Sequence, residues 1–170
     1  MDGLKDRVAI VTGGATLIGA EVVRSFQAAG VKVVVADIND KDGQALAERL
    51  GSNVRFVKTD LADDGQITKC VEATVQAFGG IDFLVNLACV YIDNALESTR
   101  QEWLDSYNVN VVGGVLMLKA VRPHMVKRAA LRRMGDPELD IGRALNFLIG
   151  PASRFVSGQT LIVSGGAMML

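Results

Sequence analysis

The residues with the clearest chemical potential form the stretch Thr12-Gly13-Gly14-Ala15-Thr16-Leu17-Ile18-Gly19, directly behind the apolar run Val8 to Val11. A β-rich run that ends in a glycine turn and passes into a helix leaves backbone N–H groups unpaired at the helix start. The helix dipole adds partial positive charge there. Together these favour a phosphate. Glycine at such a turn also has a purely steric explanation, and Gly13, Gly14 and Gly19 do not follow G-x-G-x-x-G. Asp37 closes a second apolar run, Val31 to Ala36, about 20 residues further on, where a dinucleotide ribose needs an acceptor for its hydroxyls. The alternative for Asp37 is a cap on the following turn. Ile38 and Asn39 offer no cation for a 2′-phosphate and none lies in Gly14–Leu17, so a dinucleotide here is expected to be NAD rather than NADP.

Two further polar positions end apolar runs. Asp60-Leu61 follows the third run and Asn86 ends the fourth, which places both where ligands bind in open α/β sheets. Asp60 has the alternative role of a helix cap, and Asn86 that of an amide bracing a loop. Cys89 comes just after the fourth run and reads as a small buried filler. His124 near a helix end reads as a surface or capping residue, and with one histidine and no Cys/His cluster no metal site is expected.

The elements that must position these residues alternate. Strands are predicted at Val8 to Thr12, Val31 to Ala36, Val54 to Val57 and Ile81 to Leu87, because each is short, continuous and rich in β-branched residues. Helices are predicted between them. Ile18 to Ala29 turns Ile18, Val22, Val23 and Phe26 inward and ends at Gly30. The next is capped by Asn39 or Asp40 and carries Ala45, Leu46 and Leu50. A third is capped by Asp63 or Asp64 and reaches Phe78. Such alternation predicts an α/β, doubly wound parallel sheet with strand order 3-2-1-4. Beyond Asn94, Ser98 or Thr99 caps a segment reaching Trp103. A long helix is predicted from about Asp105 to Lys127, apolar on most of its circumference and so covered by the sheet and by a second surface. Another helix starts at Asp136 or Pro137 and runs through Leu148. A last strand, Thr160–Val163, is expected beside the fourth.

Length and composition set outer bounds. A chain of 170 residues is expected to form one domain, 1–170, in which residues 1–127 make the N-terminal, cofactor-binding portion and residues 131–170 a C-terminal helix and strand. With 49% hydrophobic residues, 22% charged residues and net charge −1, it is neither a disordered chain nor a polyanion binder, and no nucleic-acid partner is expected. The mixed charges of the first seven residues do not resemble a signal peptide. The longest apolar stretch, Val109 to Val121, is interrupted by Asn110, two glycines and Lys119, so no membrane span is expected. Cys70 and Cys89 read as free thiols in a reducing, cytoplasmic compartment.

In this order and spacing the segments resemble the short-chain dehydrogenase/reductase family. Thr12 to Gly19 is similar to its T-G-x-x-x-G-x-G loop, Asp37 to its NAD-selecting acid, and Asp60-Leu61 to its adenine contact. Asn86-Leu87-Ala88-Cys89 resembles its N-N-A-G element, and Asn110 its structural and catalytic asparagine. Arg133 to Glu138 and Ser157 to Gly166 resemble its C-terminal segment. The resemblance implies a Rossmann-like fold and NAD as cofactor, held by Gly13, Leu17, Ile18, Gly19, Asp37, Asp60, Leu61, Asn86 and Ala88, with Asn110 in the catalytic set. It implies NAD(H)-dependent hydride transfer on a secondary alcohol or ketone. The long helix lacks the helix that would normally help cover it, so a homo-oligomer burying that face, or a marginally stable product, is expected.

The chain also departs from the pattern. Leu17 stands in place of the loop's middle glycine, and Leu87 and Cys89 replace two positions of N-N-A-G. The family's serine and Tyr-x-x-x-Lys pair have no counterpart: Ala95 lies four residues after Tyr91, and Val111 four after Tyr107. Only Arg128, Ala129 and Ala130 separate the matching segments, where a βαβ unit of about 30 residues would carry that chemistry. The alternative function is therefore a catalytically inactive NAD-binding or interaction module, a truncated family member.

Overall fold

Val8–Thr12 (β1) is buried along its whole length. Four of its residues, Val8, Ile10, Val11 and Thr12, are β-branched and suit a strand covered on both faces. The computed structural model describes residues 4–91 and 94–129. Two compact units divide the chain, Met1–Arg128 and Ala129–Leu170, and the described residues fall in the first apart from Ala129.

The order is β1, Leu17–Ala28 (α1), Lys32–Asp37 (β2), Asp40–Leu50 (α2), Val54–Lys58 (β3), Asp64–Phe78 (α3) and Phe83–Asn86 (β4). Arg100–Tyr107 (α4), a π-helical stretch Asn108–Gly113 and Gly114–Ala129 (α5) follow. The four strands form one parallel sheet in the order β3-β2-β1-β4, as the alternation of elements predicts. Ile10 lies opposite Val34 on one side and Leu84 on the other. The predicted helix 136–148 and the strand Thr160–Val163 lie outside the described residues.

Side chains alternate across a strand, so the sheet divides its apolar residues between two cores. Ile10, Val34 and Ala36 face Ile67, Cys70 and Val71 of α3 and Met117 and Val121 of α5. Ala9, Val11, Val33 and Val35 face Val23 of α1 and Leu46 of α2. At the amino end of β1, Arg7 Nη1 donates to Asp82 Oδ1 at 2.8 Å, and the Val8 amide donates to Asp82 Oδ2 at 2.8 Å. This clamp lies at the opposite end of the sheet from the glycine turn.

Four expectations need correction. Ile18 does not turn inward but lies exposed in the first turn of α1, before the helix reaches the sheet face that Val23 meets. The long helix does not begin near Asp105. Thr99 caps it through a reciprocal box with Glu102, and the helical path runs from Arg100 through the π-helical stretch to Ala129. Nor is it covered on most sides within one chain, since Leu104, Tyr107, Val111, Val115, Leu118 and Val126 are exposed. Apolar periodicity alone does not distinguish a buried side from a bare one. Cys89 is exposed rather than a buried filler, because β4 ends at Asn86 and leaves it in the following loop. Cys70 is buried; both thiols are free.

The Thr99–Glu102 box has a pH signature. Hydrogen bonds from the Thr99 amide and hydroxyl hold the Glu102 carboxyl below its ordinary 4.5. A folded-state value below the unfolded one stabilises the helix start above that ordinary value, and the contribution is lost as pH falls through the lowered one. Amide hydrogen exchange at Glu102 and Trp103 is expected to accelerate through that acidic window relative to the α1 amides. Glu102→Gln is expected to flatten the dependence.

Candidate functional site

The polar residues singled out around the glycine turn gather at the carboxyl edge of the sheet. β1 delivers the chain to Gly13, which takes a left-handed φ of +65°. A Cβ at Gly13 would lie 2.8 Å from the Ala88 backbone, so the turn rests directly on the loop after β4. Gly19 is still tighter: a Cβ there would lie 2.1 Å from the Gly13 carbonyl oxygen. The first turn of α1 therefore sits on the glycine turn itself. Thr16 joins the two, its hydroxyl donating to the Gly13 carbonyl at 2.7 Å and accepting from the Gly19 amide at 3.1 Å. The Thr16 and Ala20 amides are also bonded, to the Gly13 and Thr16 carbonyls. In the first turn of α1 the Leu17 and Ile18 amides have no partner among the described residues, and neither has the Gly14 amide in the glycine turn before it.

Asp37 closes β2 beside this turn and is 7% exposed. Its Oδ2 accepts from the Ala15 amide at 2.9 Å and its Oδ1 from the Asn39 amide at 2.9 Å. The turn-capping alternative thus holds, yet the same carboxylate also fastens the glycine loop to β2. Each oxygen keeps a further lone pair for a hydroxyl donor.

On the other side, Thr12 organises the end of β4. Its buried hydroxyl accepts from the Leu87 and Ala88 amides at 3.1 and 3.3 Å and lies 3.4 Å from Asn86 Oδ1. Asn86 Nδ2 donates to the Gly114 carbonyl at 3.3 Å, as a loop-bracing amide would. Asn110 lies in the π-helical stretch, a distortion that often marks functional positions. Both ends of its amide engage Val90: Oδ1 accepts from the Val90 N–H at 2.8 Å, and Nδ2 donates to its carbonyl at 2.9 Å. Asp60 is not the cap of α3, a role Asp63 fills, but its Oδ1 accepts from the Ala62 amide at 2.9 Å. Leu61 is buried beneath the long helix, where a Cβ on Gly113 would fall 2.5 Å from the Leu61 carbonyl oxygen.

The fold thus joins Gly13 to Ala88, Ala15 to Asp37, Asn86 to the start of α5 and Leu61 to the π-helical stretch. The hydroxyl of Thr12 is not among the groups that sequence reasoning singles out. Its signal is a lone hydroxyl closing an otherwise apolar strand. Tyr91 lies exposed in the loop after β4. Cys89 beside it raises its pKa above the ordinary 10.0, opposite to what proton exchange at neutral pH requires.

Comparison with known proteins agrees with this geometry. Residues 7–131 match the family model for short chain dehydrogenase. An uncharacterised oxidoreductase from Thermotoga maritima is 38% identical over 129 residues, covering 74% of this chain and 50% of the relative. (+)-Borneol dehydrogenase 1 from Salvia officinalis is 42% identical over 122 residues, covering 68% and 46%. Among solved structures, a 3-ketoacyl-(acyl-carrier-protein) reductase from Brucella melitensis complexed with NADH superposes with a TM-score of 0.72 at 29% identity, covering 75% of this chain and 54% of that one. The chain belongs to the short-chain dehydrogenase family of oxidoreductases. It spans about half the length of the curated relatives it matches.

The contact between Gly19 and the Gly13 carbonyl is the tightest in the turn and involves backbone that cannot swing aside. Gly19→Ala is expected to destabilise the domain by about 2 kcal/mol, as overpacking does. Urea unfolding of the two proteins measures it.

Proposed function

We propose that the chain binds NAD(H) at the carboxyl edge of its sheet and serves hydride transfer between that cofactor and a secondary alcohol or ketone. The observation that carries this is the pairing of two unpartnered amides, Leu17 and Ile18, with the Asp37 carboxylate fastened to the same turn. The donor set suits a dinucleotide: N–H groups at a helix start for the diphosphate, and a strand-terminal carboxylate for the adenosine ribose hydroxyls. Gly13 and Gly19 shape the turn, Asp60 and Leu61 lie on the adenine side, and Asn86 and Ala88 line the opposite side. Asn110, the proposed member of the catalytic set, holds the loop at Val90. The complex of the Brucella reductase with NADH supports the choice of cofactor. When bound, NAD(H) supplies the hydride acceptor or donor, while the protein's part is to orient it and exclude water. Relatives named as borneol and galactitol dehydrogenases support an alcohol or ketone substrate.

A second reading, a cofactor-binding module without turnover, rests on one observation: neither Tyr91 nor Tyr107 is followed four positions on by lysine. One titration orders the two. NADH fluorescence is expected to change saturably with the intact chain, and Asp37→Ala is expected to weaken binding by about tenfold or more. Absence of binding by the intact chain would remove the cofactor reading. With binding established, turnover across a panel of secondary alcohols selects the first reading, and its absence selects the second.

We further propose that the exposed stripe of Leu104, Tyr107, Val111, Val115 and Leu118 is covered by a second copy of the chain. Light scattering is expected to report a dimer or larger, which Val115→Asp shifts toward monomer. A monodisperse monomer would refute it.

A further inference from the structure

β3 is the outermost strand of the sheet, with β2 on one side and no strand among the described residues on the other. At its two ends the Val33 amide donates to the Asn53 carbonyl at 2.8 Å, and the Thr59 amide donates to the Asp37 carbonyl at 2.9 Å. Backbone N–H and C=O groups of every second residue point to the same side of a strand. Asn53, Arg55, Val57 and Thr59 therefore turn toward β2, and the N–H and C=O of Phe56 turn to the open edge. The Val54 amide on that edge is taken by the Gly51 carbonyl at 2.9 Å. Phe56 is left presenting a donor and an acceptor together.

A groove of about 360 Å³ lies at this edge, lined by Val34, Arg55, Phe56 and Val57 of the sheet and by α3. The Phe56 ring packs on the opposite face, where a Cβ on Gly43 of α2 would fall 2.2 Å from it, so the main chain of Phe56 is what meets the groove. On the α3 side the lining is Ala73 and Ala77, one helical turn apart and too small to close over the edge, with Gln76 beside them. Val34 and Val57 make the floor apolar. Arg55 and Gln76 are exposed and make no hydrogen bond or ion pair among the described residues.

These groups select an occupant. Phe56 needs a partner with both a donor and an acceptor, and Arg55 needs a carboxylate. A simple acyl carboxylate suits Arg55 and the floor but brings no donor for the Phe56 carbonyl. A second copy paired β3 to β3 would set two Arg55 and two Lys58 side chains on one short ladder, and like charges on adjoining strands repel. An extended acidic peptide meets every requirement.

We propose that the β3 edge and the groove beside α3 take an extended acidic peptide as an added strand. Antiparallel addition is the more stable arrangement per residue. The peptide residue opposite Phe56 exchanges both backbone bonds with it. Directly opposite residues share a face, so the next peptide residue carries a carboxylate toward Arg55. The preceding one sets an apolar side chain over Val57, and the one before that meets Lys58 with a second carboxylate. The partner's pattern is acid, apolar, any residue, acid. None of these contacts uses a residue of the cofactor reading.

Fluorescence anisotropy of the intact chain with a labelled, end-blocked nonapeptide whose core is Glu-Val-Thr-Glu tests it. Saturable binding is expected. N-methylation of the threonine amide removes the donor to the Phe56 carbonyl and is expected to weaken binding by about tenfold or more. N-methylation of the glutamate that follows, whose amide points away from β3, is expected to cost less than about threefold. Arg55→Glu, at an exposed position and with a thermal melt to confirm folding, is expected to weaken Glu-Val-Thr-Glu by about tenfold and to reverse the preference in favour of Glu-Val-Thr-Lys. Absence of saturable binding, equal effects of the two N-methylations, or indifference of both peptides to Arg55→Glu would each overturn the proposal. Octanoate displacing the peptide at comparable concentration would assign the groove to an acyl carboxylate, and peptide affinity that falls as protein concentration rises would assign the edge to a second copy. Either outcome also overturns it.

Discussion

The fold depends on the burial of β1 from both faces and both edges. It has parallel partners on each side, β2 and β4, and helices above and below. A strand so enclosed has its backbone groups paired, and the chain leaves the sheet with unpaired ones only at the carboxyl end. The glycine turn follows from that. It must reverse direction within a few residues while lying against the loop after β4, and Gly13 at φ +65° meets both demands. The amides of Leu17 and Ile18 are exposed because α1 begins there and no i−4 carbonyl is available to them.

The residues at this edge serve the packing and the site together. Asp37 ties the loop to β2, Thr12 ties β1 to the β4 loop, and Asn110 holds that loop from the π-helical stretch. None of these bonds is strong alone, at about 1 kcal/mol net for a typical one. Together they fix the relative positions of three loops that come from separate stretches of the chain. The Arg7–Asp82 clamp does the corresponding work at the amino edge, away from any ligand. One end of the sheet is therefore closed by charge pairing, while the other keeps donors and acceptors in reserve.

Much of this is legible in the chain itself. The alternation of apolar runs with helical spacing contains the strand order, because parallel neighbours need crossovers and few arrangements permit them. Gly13, Gly19 and Asp37 stand out by type and spacing. Thr12 stands out only as the start of that stretch, and the role of its hydroxyl is not legible until its two amide donors are known. Cys89 misleads for a related reason: its burial depends on where β4 stops, and strand ends are decided by pairing with β1 rather than by local composition. The long helix shows a further limit. Its apolar residues are periodic, but which of them meet the sheet is decided by how the helix docks: Met117 and Val121 are buried, while Val115 and Leu118 are bare.

What the sequence determined by itself is the set of elements, their order, and the chemical types gathered at the strand ends, because periodicity and turn chemistry are local properties. The tertiary structure alone decided which polar groups are engaged and which remain available. Asn86, Asn110 and Asp37 look equally capable as side chains. Only the packing of three distant loops on Gly13, Gly113 and Val90 turns Asn86 toward Gly114, Asn110 toward Val90 and Asp37 toward Ala15. The same holds for Leu17, an ordinary helix residue by composition, which becomes a feature of the site because the fold sets it, exposed, at the end of α1 nearest the glycine turn.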